Sequence, residues 1–203
     1  MQETSKYTVF NIREYLGEGK HGLGEDTLFQ ILSEFSCKIN HDVERFIKEQ
    51  SVEFAKKQQS VTYLVFSTED AELVGYSAIT IKPITVSAEP FSNTVKRKLS
   101  RVNTFNKQDQ TYNLAAYLIA QLGKNYNNGA NERISGRELL GLAIRQIKQL
   151  QYLSGGTVIF LEATNEKRLL SFYRENGFQQ FDTRLTSSSN SEPNELIQLL
   201  KLF

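Results

Sequence analysis

Residues 111–125, TYNLAAYLIAQLGKN, are apolar on both faces of an extended chain, and this stretch limits the fold more than any other. Such a strand is typical of the centre of a sheet, where both faces are covered. The preceding VTYLVFS (61–67) and LVGYSAITIKPITV (73–86) are rich in β-branched and aromatic residues. They predict a hairpin with its turn at residues 69–72, so the chain is expected to build a sheet around residues 111–125.

The remaining elements follow from the spacing of apolar residues. Two helices are predicted within 25–57, one at 135–152 and one at 165–176, and the polar segment 87–110 fits either a short helix or an ordered excursion. Further strands are predicted at 7–16, 157–163, 178–185 and, after the polar loop TSSSNSEPNE, in the final LIQLLKLF. This order predicts an α/β fold in which a mixed sheet has helices on both faces, as a single domain over residues 1–203.

Composition excludes several classes of protein. Hydrophobic residues make up 39% of the chain and charged residues 23%, which excludes a disordered chain. No stretch approaches the ~18 apolar residues of a membrane span, and the N-terminus lacks the pattern of a secretory signal. A single cysteine cannot form an internal disulfide, which fits a reducing, cytoplasmic compartment. Nothing in the net charge of +1 argues for a nucleic-acid or membrane partner, so neither is predicted, and any argument from charge must be local.

The best-defined helix start is the capping box SGRE at residues 135–138. The Ser135 hydroxyl can accept from the Glu138 amide, and the Glu138 carboxylate can reach back to the Ser135 amide. A helix start that follows a buried strand can bind an anion, because free amides and the helix dipole point at it. Lys124, Arg133 and Arg137 add positive charge there. The alternative interpretation is that this helix start, like most others, holds only water.

The segment LEATNEKRLLSFYRENGF (161–178) predicts a buried strand followed by a helix. Thr164 or Asn165 is expected to cap the helix, and Gly177 to end it in the left-handed conformation. Tyr173 then lies on the last full turn. All of these features are compatible with a purely architectural role.

Two motifs resemble those of the Gcn5-related N-acetyltransferase (GNAT) superfamily. Strand–LEATN–helix–FYRENGF resembles its closing motif, in which an Asn follows the strand and a Phe-Tyr pair precedes x-x-Gly-Phe. Residues 133–138 (RISGRE) are similar to its acetyl-coenzyme A loop, Gln/Arg-x-x-Gly-x-Gly/Ala, although Glu138 replaces the last Gly or Ala. The resemblance covers about residues 7–183. It implies about seven strands in a central, mostly antiparallel sheet flanked by helices on both faces.

The resemblance implies an acetyl-CoA-dependent N-acetyltransferase, in which a primary amine attacks the thioester directly within a ternary complex. It implies that the central strand splays from its neighbour, so that backbone amides at 121–123 bind the acetyl carbonyl. The loop amides at 133–138 would bind the diphosphate, Asn165 would touch the pantetheine arm, and Tyr173 would protonate the leaving sulfur. No metal is implied. The residues assigned to the cosubstrate are Gln121, Leu122, Gly123, Lys124, Arg133, Ile134, Ser135, Gly136, Arg137, Glu138, Asn165 and Phe172.

Several alternatives stay open at this point. The acceptor is a small-molecule or peptide amine of unknown identity, a homodimer is left open, and the general base is Glu72, Asp109, Glu162 or a water chain. One alternative function is a non-catalytic module that binds acyl-CoA or has lost the cofactor, which Glu138 favours. Another is acetylation of a macromolecule, such as a protein N-terminus or a charged tRNA, through the basic stretch 96–107.

Two further patterns are interpreted as structural. Residues 17–22, GEGKHG, match G-x-G-x-x-G, but the residues after them are predicted to be helical, where a dinucleotide fold needs a strand. They are interpreted as a flexible loop over the acceptor pocket. Cys37 and His41 are predicted to lie four apart on one helix as a semi-exposed pair, without the orienting carboxylate that a nucleophile needs.

Overall fold

Eight strands form one mixed sheet in the computed structural model, which describes residues 5–17, 22, 24–101, 103–188 and 191–203. The strands are β1 (Tyr7–Asn11), β2 (Val61–Ser67), β3 (Leu73–Ser87), β4 (Phe105–Asn106), β5 (Thr111–Lys124), β6 (Val158–Thr164), β7 (Gln179–Ser188) and β8 (Ser191–Leu202). The glycine-rich motif at 17–22 lies mostly outside the described residues and stays a prediction.

Four of the seven described α-helices lie between β1 and β2, and the other three lie further along the chain. The seven are α1 (Ile12–Leu16), α2 (Glu25–Ser33), α3 (His41–Arg45), α4 (Ser51–Lys56), α5 (Asn93–Ser100), α6 (Gly136–Ser154) and α7 (Lys167–Glu175). A π-helical turn (Phe46–Gln50) joins α3 to α4, and a 3₁₀ segment (Asn127–Glu132) precedes α6. None of the described helices is long and apolar enough to cross a membrane.

The sheet has the strand order β1-β2-β3-β5-β6-β8-β7, with β4 paired to β5 outside this path. The pairs β1/β2, β2/β3, β6/β8 and β7/β8 are antiparallel, whereas β5 and β6 are parallel over residues 116–118 and 158–160. The predicted hairpin, the inner position of β5 and the mixed, mostly antiparallel sheet are therefore confirmed.

Two predicted boundaries are wrong. The first strand ends at Asn11 instead of residue 16, because the Asn11 side chain accepts from the Arg13 amide at 3.0 Å and starts α1. The polar loop predicted between the last two strands is mostly strand, since β7 and β8 stay paired as far as Ser188 and Ser191, with two shifts of register on the way. Ladder hydrogen bonds are made by the backbone, so polar side chains do not prevent them.

The chain forms two compact units, each with its own core. Unit 1 takes in Met1–Thr80 and Ile119–Gln146, and unit 2 takes in Ile81–Leu118 and Ile147–Phe203. In unit 1, the Tyr76 ring meets Phe35 edge-on at 5.2 Å and stacks on Phe46 at 6.2 Å. The Tyr76 hydroxyl donates to the Val43 carbonyl at 2.6 Å, which ties α3 to β3.

Cys37 is buried in this core, with 3% of its surface exposed, so the prediction of a semi-exposed helical pair is wrong. Helix α2 ends at Ser33, and Cys37 lies in the connection to α3, where its amide donates to Glu44 at 2.8 Å. His41 begins α3 and is exposed, so the two side chains do not share one helix.

Gly123→Ala is expected to lower the free energy of unfolding by about 1–3 kcal/mol, as overpacked cores do. A Cβ at position 123 would overlap Val43 Cγ1 and would lie 3.1 Å from Tyr76 Cε1. The control is Gly141→Ala in α6, where a Cβ meets nothing within 4 Å and helix propensity adds about 1 kcal/mol. Urea denaturation of both variants checks this, and equal midpoints would contradict the close packing at Gly123.

Unit 2 is built on the second half of β3, the first half of β5 and strands β6 to β8. Its core holds Val86, Ala88, Phe91, Leu99, Tyr112, Leu114, Ala116, Val158, Phe160, Phe181 and Leu200. Helix α5 lays Leu99 into this core and starts at Ser92, whose hydroxyl accepts from the Val95 amide. Its residues Arg97 and Lys98 are exposed.

Candidate functional site

The start of α6 in unit 1 is held by the predicted capping box. The Ser135 amide donates to Glu138 Oε2 at 2.8 Å, and the Glu138 amide donates to the Ser135 hydroxyl at 3.2 Å. Ile134 and Leu139 flank the box and are buried in one cluster, as expected of a hydrophobic staple. The Glu138 carboxylate is thus turned back onto its own helix start.

The side chain of Arg133, which is predicted to add charge at the helix start, pairs with carboxylates of a turn. Its guanidinium forms ion pairs with Asp70 and, at 3.1 Å, with Glu72, in the turn between β2 and β3. On the backbone side, the Tyr7 hydroxyl donates to the Arg133 carbonyl at 2.8 Å. Arg133 is therefore an anchor of the loop, because two carboxylates already neutralise its charge.

The loop offers fewer amides to an anion than the sequence predicts. The amide of Arg133 donates to the Ala130 carbonyl, and those of Ser135 and Glu138 belong to the capping box. Among the residues that the structure describes, the amides of Ile134 and Gly136 have no recorded acceptor. These two amides, at the positive end of α6, are the donors that the loop can present.

Glu138→Gln is expected to remove a pH-dependent part of the stability. Hydrogen bonds from Ser135 are the largest cause that lowers the pKa of Glu138 from its ordinary 4.5. Stability from a lowered pKa is present above the unfolded value and is lost as the pH falls through the folded one. The free energy of unfolding of the wild type should therefore exceed that of the variant by about 0.5–1 kcal/mol at neutral pH, and by less in acid. The difference is small because the capping box is exposed.

Denaturation of both proteins from neutral pH to below pH 4.5 measures this difference. Glu132→Gln, which removes an exposed carboxylate outside the box, is the control. A difference between wild type and Glu138→Gln that stays constant with pH would contradict a role for the ionised box.

The end of β5 carries the residues predicted to bind the acetyl group. Gln121, Leu122 and Lys124 are half-buried, and Gly123 is buried beside Val43.

Asn125, which the sequence analysis did not single out, fixes the end of β5. It is 3% exposed, its Oδ1 accepts from the amides of Ser36 (2.9 Å) and Asn127 (3.0 Å), and its Nδ2 donates to the Leu73 carbonyl at 2.8 Å. These three hydrogen bonds join the end of β5 to the segments that hold Ser36 and Leu73, and such buried networks rigidify their surroundings. The signal in the sequence is weak, because Asn125 is one of three asparagines, with Asn127 and Asn128, that follow the apolar strand.

Tyr173 in unit 2 has a buried ring and a hydroxyl without a partner in the described ranges. It is 8% exposed, and its ring meets Phe172 at 5.1 Å and Phe178 at 5.8 Å. Burial raises the pKa of Tyr173 to about 12, so the phenol stays protonated at neutral pH. A protonated hydroxyl with no internal acceptor is a donor available to a ligand.

The end of α7 has the predicted geometry. Gly177 is left-handed, with φ +85°, and its amide donates to the Arg174 carbonyl at 2.9 Å. The Phe178 amide donates to the Tyr173 carbonyl at 3.1 Å, which completes the C-terminal cap.

The predicted cap at the start of α7 is wrong. The helix begins at Lys167, so Glu166 takes the capping position, and its side chain makes no capping hydrogen bond. Asn165 is exposed, and its Nδ2 donates to Glu195 on β8 at 3.1 Å. The site residues on β5 and the α6 loop thus belong to unit 1, whereas Asn165, Phe172 and Tyr173 belong to unit 2.

The fold is similar to those of three solved structures. AtaT complexed with acetyl-methionyl-tRNAfMet has a TM-score of 0.61 and 13% identity, over 94% of this chain and 93% of that chain. AtaTR bound with AcCoA has a TM-score of 0.58 and 14% identity, over 95% and 94%. The spermidine/spermine N-acetyltransferase SpeG from Vibrio cholerae, in complex with manganese ions, has a TM-score of 0.51 and 12% identity, over 97% and 92%.

The chain has the Gcn5-related N-acetyltransferase fold. The fold that the two sequence motifs implied is therefore confirmed. No family model matches the sequence, and no curated protein matches it.

Within this acetyltransferase fold, all three carboxylates considered as general base have partners. Glu72 pairs with Arg133, and Asp109 accepts from Asn106 at 2.7 Å. Glu162 accepts from Gln198 at 2.8 Å and pairs with Arg184 at 3.2 Å. In the part of the chain that the structure describes, His, Cys, Asp and Glu side chains form no group that could hold a metal ion.

Proposed function

We propose that this chain is an acetyl-CoA-dependent N-acetyltransferase with a primary amine as acceptor. The observation that carries the proposal is Tyr173, a buried, protonated phenol whose hydroxyl has no acceptor within the described ranges, in an acetyltransferase fold. The similar structures support it, because AtaTR was solved with AcCoA and SpeG is an N-acetyltransferase.

The donors left over at the start of α6 fit a diphosphate. The amides of Ile134 and Gly136 stand at the positive end of a 19-residue helix, where a negatively charged group is stabilised. Lys124 adds a cation, whereas Arg133 is assigned to holding the loop. On β5, the amides at 121–123 are assigned to the oxygen that becomes negative when the amine attacks.

The reaction needs one proton to leave the nitrogen and one to reach the sulfur. As the C–N bond forms and the C–S bond breaks, the Tyr173 hydroxyl donates to the departing thiolate. A free thiol has a pKa near 8.5, below that of this phenol, so the hydroxyl acts mainly by hydrogen bonding while solvent balances the protons. The base that receives the nitrogen proton is Glu162, Glu72, Asp109 or water.

Acetyl-CoA is expected to raise the melting temperature. A ligand that binds only the native state at ~100 times its Kd adds about 2.7 kcal/mol of stability. Thermal unfolding with coenzyme A and acetyl-CoA, followed by a free-thiol assay over a panel of amines, tests the proposal. No shift at millimolar acetyl-CoA would favour a module that has lost the cofactor, and a shift without thiol release would favour a non-catalytic acyl-CoA binder.

A macromolecular acceptor is the second candidate. Helix α5 exposes Arg97 and Lys98, and AtaT, a structural neighbour, was solved with acetyl-methionyl-tRNAfMet. A tRNA contact through these cations would show an affinity that falls steeply with salt. Binding of aminoacyl-tRNA at several salt concentrations, to the wild type and to Arg97→Glu, separates this candidate from a small amine.

A further inference from the structure

Lys201 on β8 lies at the C-terminal end of α7, within unit 2. Its Nζ donates to the Asn176 carbonyl at 2.7 Å and lies 5.8 Å from the centre of the Phe178 ring. A Cβ at position 177 would come within 3.2 Å of the same Nζ, so the glycine there leaves room for the ammonium. The ammonium group thus contacts three consecutive residues at the end of the helix.

These three residues also close the turn that carries Tyr173. The Asn176 amide donates to the carbonyls of Phe172 (3.2 Å) and Tyr173 (3.1 Å), and its Nδ2 donates to Phe172 at 2.7 Å. The Phe178 amide donates to the Tyr173 carbonyl, and the Phe178 ring meets the Tyr173 ring edge-on at 69°. Displacement of Asn176 or Phe178 therefore displaces Tyr173.

The charge of Lys201 also suits its place. The C-terminal end of a helix carries partial negative charge on its last carbonyls, and a cation there stabilises the final turn. A cation over an aromatic ring adds a second attraction at Phe178. Without the ammonium, the Asn176 carbonyl would lose the hydrogen bond from Lys201, and the last turn would lose a stabilising cation.

We infer that Lys201 is a positioning residue for Tyr173, which it acts on through Asn176 and Phe178. The inference depends on the proposed function in one respect, which is that Tyr173 takes part in acetyl transfer. The restraint on the Tyr173 ring follows from the contacts alone, so it can be measured separately.

Lys201→Met keeps the aliphatic stem and removes the ammonium, whereas Lys201→Arg keeps a cation and its donors. Hydrogen–deuterium exchange of the Asn176 and Phe178 amides at pH 7 reports how firmly the turn that carries Tyr173 is closed. A loosened turn should make both amides exchange faster in Lys201→Met, and Lys201→Arg should restore the wild-type rates. The kcat should fall about fivefold in Lys201→Met with KM for acetyl-CoA unchanged.

Lys167→Met, at the other end of α7, is the control and should change neither value. Lys201→Gln, which keeps a donor without the charge, replaces the methionine variant if that variant does not fold. The inference is overturned if these amides exchange in the uncharged variants as they do in the wild type, or if they exchange in Lys201→Arg as in the uncharged variants. Faster exchange in an enzyme without acetyl transfer would support the positioning and reject the proposed function.

Discussion

Tyr173→Phe is expected to lower kcat about 10²-fold and to leave the Kd for acetyl-CoA close to unchanged. The effect should lie at the lower end of the 10²–10⁴ range of acid–base groups, because a coenzyme A thiolate is a fair leaving group. The substitution keeps the ring between Phe172 and Phe178 and removes only a hydroxyl that has no acceptor in the described part of the chain. Steady-state kinetics with a competent amine and calorimetric titration of acetyl-CoA measure the two quantities.

Tyr112→Phe is the matched control, since Tyr112 is also a buried tyrosine of unit 2. Its hydroxyl lies 3.0 Å from the Ser100 hydroxyl, so its loss should cost about 1 kcal/mol of stability and leave turnover unchanged. If the Tyr173→Phe enzyme keeps its full kcat and has a lowered melting temperature, Tyr173 has a structural role and no catalytic one. The departing thiolate would then be stabilised by water or by another group.

Gly136→Asp is expected to abolish acetyl-CoA binding without unfolding the chain. A carboxylate about 4 Å from a phosphate costs about 4 kcal/mol at an effective dielectric constant of 20, or roughly a thousandfold in Kd. The fold should tolerate the change, because Gly136 is the first residue of α6 and an acidic side chain is favourable in the first turn. Calorimetric titration and a melting curve on the same sample separate binding from stability.

Gly141→Asp is the control for charge, because it adds the same carboxylate further along α6, where a Cβ meets nothing within 4 Å. It should bind acetyl-CoA nearly as the wild type does. If Gly136→Asp also binds normally, the diphosphate does not lie at this helix start, and the roles of Ile134 and Gly136 must be withdrawn.

Interactions between residues close together in the sequence could be predicted, whereas those between distant residues could not. The capping box at Ser135 and Glu138 and the glycine end of α7 involve residues a few positions apart, and local spacing predicted both. The inner position of β5 was predictable from its apolar run, but the predicted cover on both faces is incomplete, because Asn113, Ala115 and Ala120 are exposed.

The errors arose where partners are distant in the sequence or compete locally. Arg133 appeared to be available to a phosphate because its partners, Asp70 and Glu72, belong to a turn far upstream. Asn165 was predicted as a cap, but α7 starts two residues later, and the side chain contacts Glu195 instead. Asn125 was missed because its side chain binds Ser36, Leu73 and Asn127, which lie in three segments that only the folded chain brings together.

The capping box has one more consequence, which concerns the entropy of binding. Its hydrogen bonds join residues of the loop to each other, and Tyr7, Asp70 and Glu72 hold the loop from outside, so the loop is ordered by the protein's own contacts. A preorganised loop loses little conformational freedom when a ligand arrives, and more of the contact energy appears as affinity. Glu138, which replaces the Gly or Ala of the motif, thus gives up the close approach of a ligand to the backbone at this position. In return, its capping box holds the loop in one conformation before the ligand binds.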